Sequence, residues 1–184
     1  MKSLKVFCFI TLFCNCWKAI EAQMPLIQWQ GAYGGTAKEG GYSVIVKNDS
    51  AITITGYAES SNGNVSNHHS PGLIINDVCV IQLNSLGHVI WNKCFGGTSI
   101  DVGHSIKLTY DNGYVFCGWT ASNDGDVSGL HNNDDDAWVA KIDSNAIIQW
   151  QKCIGGSQYD KANDVIQTLD SGYLVTGRTS SSDD

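Results

Sequence analysis

The segment IWNKCFGG, residues 90–97, decides how the rest of the chain is interpreted. Two other segments share its pattern, a tryptophan within an apolar stretch that ends in two glycines: IQWQKCIGG at residues 148–156 and IQWQGAYGG at residues 27–35. The three tryptophans are 62 and 59 residues apart. A pattern that recurs at a nearly fixed spacing predicts a chain built from structural repeats.

Each repeat is predicted to contain four short antiparallel strands. Apolar residues alternate or cluster in short runs bounded by Gly, Asn, Asp and Ser, and helical periodicity is absent after the N-terminal segment. Tight-turn sequences, DNG at residues 111–113 and DSG at residues 170–172, separate the first two strands of their units. In the first unit the predicted strands are residues 42–46, 52–57 and 78–83, followed by the Trp segment as the fourth strand. In the second unit they are residues 104–108, 114–120 and 137–142, again followed by the Trp segment. The third unit has two predicted strands, residues 164–167 and 173–179.

Four-stranded antiparallel units repeated along the chain are typical of β-propeller blades. The predicted fold is therefore all-β, with β-propeller-like four-stranded antiparallel blades and about 2.7 repeats, so the propeller is incomplete. The units are residues 35–96, 97–155 and a truncated 156–184. Because a closed propeller needs about four to eight blades, we expect a piece of a longer protein, or association that covers the open sheet faces.

Aromatic side chains that recur in register are predicted to form the core. Trp29, Trp91 and Trp150 hold equivalent positions, so we expect all three to be buried between neighbouring sheets. The paired glycines that follow each of them would let the backbone cross to the next unit, since glycine adopts angles that a side chain forbids.

The N-terminus predicts export. Residues 1–22 have a basic start and an apolar run at residues 6–17 that is too short to span a bilayer, as in a cleaved signal peptide. The predicted mature domain, residues 23–184, would be secreted or held at the cell surface, with no membrane span. Cleavage would change the net charge from −7 to −9, and this acidic balance argues against nucleic acid as a partner.

Four cysteines remain in the predicted mature chain: Cys79, Cys94, Cys117 and Cys153. A two-residue turn between the strand that contains Cys79 and the strand that contains Cys94 would place these two cysteines opposite each other. A three-residue turn ending at Gly87 would instead place Cys79 opposite Lys93, and the position of the glycine favours this register. The sequence therefore predicts free, buried thiols.

A polar loop in the second unit has the composition of a calcium site. Carboxylate and amide oxygens on a glycine-kinked turn suit Ca²⁺, which takes six to eight oxygen ligands. The alternative is that these side chains cap turns through hydrogen bonds to the backbone. The candidate ligands are Asn123, Asp124, Asp126, Asp134 and Asp135.

Other polar and aromatic residues recur near strand ends. Tyr57, Trp119 and Arg178 hold one equivalent position, which could form a ligand platform that stacks on sugar rings or could pack between sheets. Asp77 and Asp136 precede the third strands, where we expect them to bind backbone N–H groups of a neighbouring turn. Histidines in the long loops are expected to be exposed: His68, His69 and His131.

The pattern resembles a family of secreted bacterial tandem-repeat proteins that is common in Bacteroidota. The resemblance is carried by WNKCFGG at residues 91–97, DNGY at 111–114, NDGDVS at 123–128 and DAWVAKIDS at 136–144. It covers residues 26–184 and implies a β-propeller repeat protein, often exported by type IX secretion. Members of that family run to many repeats and often end in a C-terminal sorting domain, whereas this sequence has neither.

No nucleophile elbow, P-loop, dinucleotide fingerprint or HExxH segment is present in the sequence. We therefore expect an exported, non-enzymatic binding, scaffold or adhesion module, with carbohydrate or another cell-surface ligand as partner and no cofactor other than calcium. The alternative is the propeller portion of an exported enzyme, a hydrolase or a quinone-dependent dehydrogenase, with catalytic residues outside this chain.

Overall fold

The computed structural model describes residues 26–47, 51–70, 75–131 and 134–183. The predicted signal peptide and the first-unit turn at residues 48–50 lie outside the described residues. Within the described ranges the protein is all-β, with ten strands, antiparallel pairing throughout and no helix. None of these residues forms a helix with the length and apolarity needed to cross a membrane.

The strands form three sheets that follow the chain in order. The first sheet has the order β1-β2-β3-β4, the second has the order β5-β6-β7-β8, and the third pairs β9 with β10. The strands are β1 (Glu39–Lys47), β2 (Ala51–Ala58), β3 (Asp77–Asn84), β4 (Val89–Phe95), β5 (Asp101–Leu108), β6 (Tyr114–Thr120), β7 (Asp136–Ile142), β8 (Ile148–Ile154), β9 (Asp160–Gln167) and β10 (Tyr173–Thr179).

Each first strand carries a bulge at the same place. The extra residues are Tyr42 in β1, His104 in β5 and Asn163 in β9, each opposite a glycine-bearing second strand. In the second sheet the glycine is Gly118, where an added Cβ would collide with the backbone carbonyl of Val102. The bulge therefore explains why this position is glycine in every unit, although the sequence pattern did not predict the bulge itself.

Successive sheets pack face to face through their first strands. β5 contacts β1, β2 and β3 of the first sheet, and β9 contacts β5, β6 and β7. One buried cluster fills the first junction and includes Val78, Phe95 and Ile106, with aromatic residues of β6 and β7. A smaller cluster fills the second junction and includes Val115, Cys117 and Val165.

The expected tryptophan core is only partly correct. Trp91 packs against the first core cluster, with its ring centroid 6.3 Å from that of Tyr114. Trp150 makes the equivalent contact with Tyr173, at 4.9 Å, yet 36% of it is exposed because the third sheet provides only two strands of cover. Trp29 is also 36% exposed, so the prediction that all three are buried is wrong.

The first Trp segment, at residues 27–35, forms no strand, unlike its two counterparts in β4 and β8. Residues 26–30 contain no strand, and none is assigned up to residue 38. In the second copy the Trp strand, β4, is paired with β3, which directly precedes it.

The prediction of four free thiols is wrong for one pair. Cys79 and Cys94 lie opposite each other, with Cα atoms 4.0 Å apart, and form a disulfide. The three-residue turn exists as expected, since Gly87 has φ of 80° and Leu83 faces Val89. A bulge at Ile90 then shifts the register by one residue and brings the two cysteines together. Cys117 and Cys153 are free and buried, as predicted.

Candidate binding surface

The three candidate platform residues do occupy one equivalent place in the sheets. Tyr57 faces Gly40, Trp119 faces Val102 and Arg178 faces Lys161, and each directly follows the glycine of its second strand. Their surroundings nevertheless differ, because each sheet has a different neighbour. The repeat therefore places the residues as predicted without giving them a common role.

Tyr57 lies in a cluster of aromatic rings. The bulge residue Tyr42 is 6.0 Å from Tyr57 between ring centroids and 5.5 Å from His104 in an edge-to-face arrangement. The Tyr42 side chain is 59% exposed. The bulges in β1 and β5 thus place Tyr42 and His104 side by side at the junction between the first and second sheets. We call Tyr42, Tyr57 and His104 the aromatic cluster.

An open groove adjoins this cluster on the first sheet. Its volume is about 210 Å³, and its lining includes Tyr57, Ile54 and the disulfide between Cys79 and Cys94. Glu39 lies at the same groove. An apolar floor with a few polar groups is the usual composition of a small-molecule site.

Trp119 is covered rather than open. The Nζ of Lys161, from the next sheet, lies 3.4 Å from the centre of the indole ring. The same ammonium is paired with the carboxylate of Asp135 at 2.8 Å. A cation held on an aromatic face contributes to packing between sheets, which agrees with the alternative considered for this position.

Arg178 lies near the end of the exposed strand β10 and lines a second groove of about 440 Å³. This groove lies between the second and third sheets and also contacts Ala137, Ile154 and Val175. Arg178 is in the third sheet, Trp119 in the second and Tyr57 in the first, and the structure does not bring the three platform residues together.

The candidate calcium ligands have partners within the protein. The carboxylate of Asp124 accepts hydrogen bonds from the Thr98 backbone N–H and hydroxyl, both at 2.8 Å. Asn62 and Asp183 occupy the same place in the other units and accept the equivalent bonds from Thr36 at 3.0 Å and Ser157 at 3.0 Å. This recurring contact matches the turn-capping alternative, and the bonds from Thr98 hold the pKa of Asp124 below its ordinary value.

The other candidate ligands point to different neighbours. The side-chain oxygen of Asn123 accepts from the backbone of Gly129 at 3.1 Å, and Asp126 contacts His69 at 3.3 Å. Asp135 pairs with Lys161, and Asp134 lies next to it in the chain. Among the residues that the structure describes, no three His, Cys, Asp or Glu side chains group as a metal site. Calcium binding stays a prediction, which calorimetric titration with Ca²⁺ would test.

The strand-entry aspartates tie down the long loops, as predicted. Asp77 accepts the His69 backbone N–H at 2.7 Å, and Asp136 accepts the His131 backbone N–H at 2.9 Å. The ring Nδ1 of each histidine contacts the same carboxylate oxygen, at 2.8 Å and 2.7 Å. The histidines are thus only partly exposed. The expectation of free loop histidines overlooked this contact because the two pairs are eight and five residues apart in the sequence.

His69 also joins two repeats. Its Nδ1 contacts Asp77, while its Nε2 lies 3.3 Å from the carboxylate of Asp126 in the following unit. His68 contacts the backbone carbonyls of Ala58 and Ile75 through its Nε2. These loops are therefore fixed by side-chain contacts rather than by sheet pairing.

Asp101 is a buried carboxylate that the sequence did not single out. Its side chain accepts hydrogen bonds from the Thr120 hydroxyl, the Gly97 backbone N–H at 2.8 Å and the Ser122 hydroxyl at 2.9 Å. Burial raises the pKa of Asp101 to about 6, the three hydrogen bonds oppose this shift, and the charge of nearby Asp77 adds to it. Burial also raises the pKa of Asp77, against the hydrogen bonds from His69.

The raised pKa of Asp101 predicts a pH dependence of stability. The folded protein binds this proton more tightly than the unfolded chain, whose carboxyl titrates near 3.8. Its contribution to the free energy of unfolding is therefore full below about pH 4 and is lost as the pH rises through about 6. We expect wild type to gain on the order of 2 kcal/mol relative to Asp101→Asn between pH 7 and pH 4.5, measured by urea unfolding.

The control for this pH experiment is Asp134→Asn, a substitution in a partly exposed loop. The difference in unfolding free energy between this variant and wild type should stay nearly constant over the same range. If both Asp101→Asn and Asp134→Asn lacked the wild-type gain in unfolding free energy to the same extent, the gain could not be assigned to Asp101.

Comparison with protein-family models and with curated proteins finds no significant match.

Proposed function

We propose that this protein is an exported, non-enzymatic repeat module that binds carbohydrate at the aromatic cluster, and that its sheets are the blades of a β-propeller-like arc. The observation that carries the binding proposal is the exposed ring of Tyr42 against the half-buried rings of Tyr57 and His104, beside an open groove that Tyr57 lines. Aromatic rings offer an apolar face with a polar edge, which suits the mixed surface of a sugar ring.

The order of contacts supports the propeller-like arrangement. β1 contacts β5, and β5 contacts β9, so the first strands of successive sheets lie side by side. The two complete sheets also share strand order, bulges and loop contacts. In a radial stack of sheets, the first strands of neighbouring sheets lie next to each other, and the outer strands of each sheet follow in sequence.

The use of polar groups supports a binding role rather than catalysis. One carboxylate oxygen of Asp77 and one of Asp136 accept a loop backbone N–H and contact a histidine ring, and Asp101 accepts from two hydroxyls and a backbone N–H. The other oxygen of Asp77 and of Asp136, Oδ1, is buried and has no hydrogen-bond partner among the described residues. These contacts hold loops in place at each sheet junction. Rigid sheets that present polar loops at one end are a common scaffold for recognition.

A glycan array probed with the purified protein tests this proposal. We expect binding to at least one class of glycan, and Tyr57→Ala should weaken it about tenfold because a central aromatic contact is removed. Tyr110→Ala is the matched control, since Tyr110 is exposed but lies in the turn after β5. An array without signal, or equal loss in both variants, would contradict the proposal.

A further inference from the structure

The third strand of each complete sheet and the first strand of the sheet that follows it both begin with an aspartate. At the first junction these residues are Asp77 and Asp101, and at the second junction they are Asp136 and Asp160. The backbone N–H of Asp101 donates to the carbonyl of the residue before Asp77 at 2.7 Å, and Asp160 makes the equivalent bond at 2.7 Å. The two aspartates of each junction therefore start neighbouring strands side by side, and we call each couple a junction pair.

One oxygen of each third-strand aspartate has no donor in the described part of the chain. Asp77 and Asp136 are both fully buried. In each of them Oδ2 contacts the backbone and ring of a loop histidine, whereas Oδ1 has no hydrogen-bond partner among the described residues. A buried carboxylate oxygen is costly unless a charge or a hydrogen bond compensates it. The same oxygen at two separate junctions points to a ligand that recurs with the repeat.

The unpartnered oxygen is directed toward the other member of its pair. A Cβ added to Gly155 would lie 2.9 Å from Oδ1 of Asp136 and would collide with Oδ2 of Asp160, so both carboxylates approach one point. At the first junction, burial and the charge of nearby Asp77 both raise the pKa of Asp101. Two carboxylates thus converge at each junction, where a water molecule would satisfy hydrogen bonds but would leave the like charges uncompensated.

We propose that each junction pair binds a calcium ion between its two carboxylates. Ca²⁺ prefers oxygen ligands and takes six to eight of them, so backbone carbonyls and water would complete the shell. The ion would offset the repulsion within the pair and satisfy the Oδ1 atoms of Asp77 and Asp136. Each site has two carboxylates, so it differs from a cluster of three or more ligating side chains, which the described residues do not form.

These sites are separate from the other sites considered. They share no residue with the loop ligands expected from the sequence, and they do not depend on carbohydrate binding. Each pair joins one sheet to the next, because its members belong to different sheets. Bound calcium would therefore stabilise the junctions themselves, and its removal would weaken the contact between successive sheets.

Isothermal titration calorimetry of the purified chain with CaCl₂ at pH 7.5, after treatment with a chelator, tests the proposal. We expect saturable binding of about two ions per chain, with a Kd on the order of 10⁻⁴ M, as in extracellular calcium modules. Calcium at about 1 mM should raise the melting temperature by roughly 5 °C relative to chelator. Sodium chloride at the same ionic strength should leave it unchanged.

Isosteric variants locate the ions. Asp77→Asn and Asp136→Asn each keep the size of the side chain and remove the charge, so each should lower the count to about one ion per chain. Asp134→Asn, which removes a loop carboxylate, is the matched control and should bind as wild type does. Circular dichroism checks that each variant is folded, and the wild-type titration decides the proposal even if a junction variant does not fold.

Two results would overturn the inference: neither heat nor a shift in melting temperature when calcium is added to wild type, or an unchanged ion count in both folded junction variants. Loss of binding in Asp134→Asn together with wild-type binding in the junction variants would also overturn it, and would place the ion in the polar loop instead.

Discussion

Trp138→Ala should lower the free energy of unfolding by about 4 kcal/mol, the largest loss expected of any single substitution considered. Trp138 is fully buried, its ring packs edge-to-face on Phe116, and its Nε1–H donates to the side-chain oxygen of Gln151 at 2.9 Å. Truncation removes the apolar contacts and leaves a cavity in the buried cluster that joins the first two sheets.

Urea unfolding followed by circular dichroism measures this effect. Trp138→Phe should lose less, about 1–2 kcal/mol, because it retains the ring but not the hydrogen bond to Gln151. Tyr110→Ala, at an exposed position, should change stability by no more than about 0.5 kcal/mol. A loss below about 1.5 kcal/mol for Trp138→Ala would show that the first junction is not organised around this side chain.

Reduction of the bond between Cys79 and Cys94 should lower the free energy of unfolding by about 3 kcal/mol. The bond closes a segment with a sequence separation of 15, and constraining a loop of this length in the unfolded chain accounts for a loss of that size. Guanidinium unfolding with and without a phosphine reductant measures it. The double variant Cys79→Ser with Cys94→Ser should not respond to the reductant.

Thiol labelling provides an independent check on the same pair. In denaturant without reductant, alkylation should reach Cys117 and Cys153 but neither Cys79 nor Cys94. In the folded protein the two free thiols should react slowly, because burial raises the pKa of each to about 12. Labelling of all four residues before reduction would contradict the disulfide.

The sequence predicted the strands best where the turns between them were distinctive. The bounds of β6 and β10 were predicted to the residue, because DNG and DSG turns define where each of them begins. β5 begins three residues earlier than predicted and β9 four residues earlier, since in each the pairing with the second strand continues beyond the bulge. A bulge adds one residue without altering the apolar pattern, so periodicity alone cannot reveal it.

The same limitation affected the chemistry of individual residues. The Cys79 and Cys94 pairing depended on a bulge at Ile90, several residues from either cysteine. Trp138 was not singled out among the core residues, because its equivalent in the first sheet is Cys79 and the position does not recur as an aromatic. Conversely, the recurring Trp150 was expected to be buried, but its exposure depends on how many strands the adjacent sheet supplies.

The candidate site was predictable in part. Tyr57, Trp119 and Arg178 were correctly placed at equivalent strand positions, but the sequence could not show that Lys161 from the next sheet covers Trp119. Nor could it show that Tyr42 projects beside Tyr57, because Tyr42 is the bulge residue. Contacts between units depend on how the sheets pack, and a comparison of the unit sequences with one another does not reveal that packing.

The first two sheets fill one equivalent position with different chemistry. Cys79 is bonded to Cys94 in the first sheet, whereas Trp138 stands opposite Cys153 in the second. Electron donors can break the covalent link but have no effect on the indole. Under reducing stress the first sheet should therefore become less stable, while the second sheet keeps the stability that Trp138 provides.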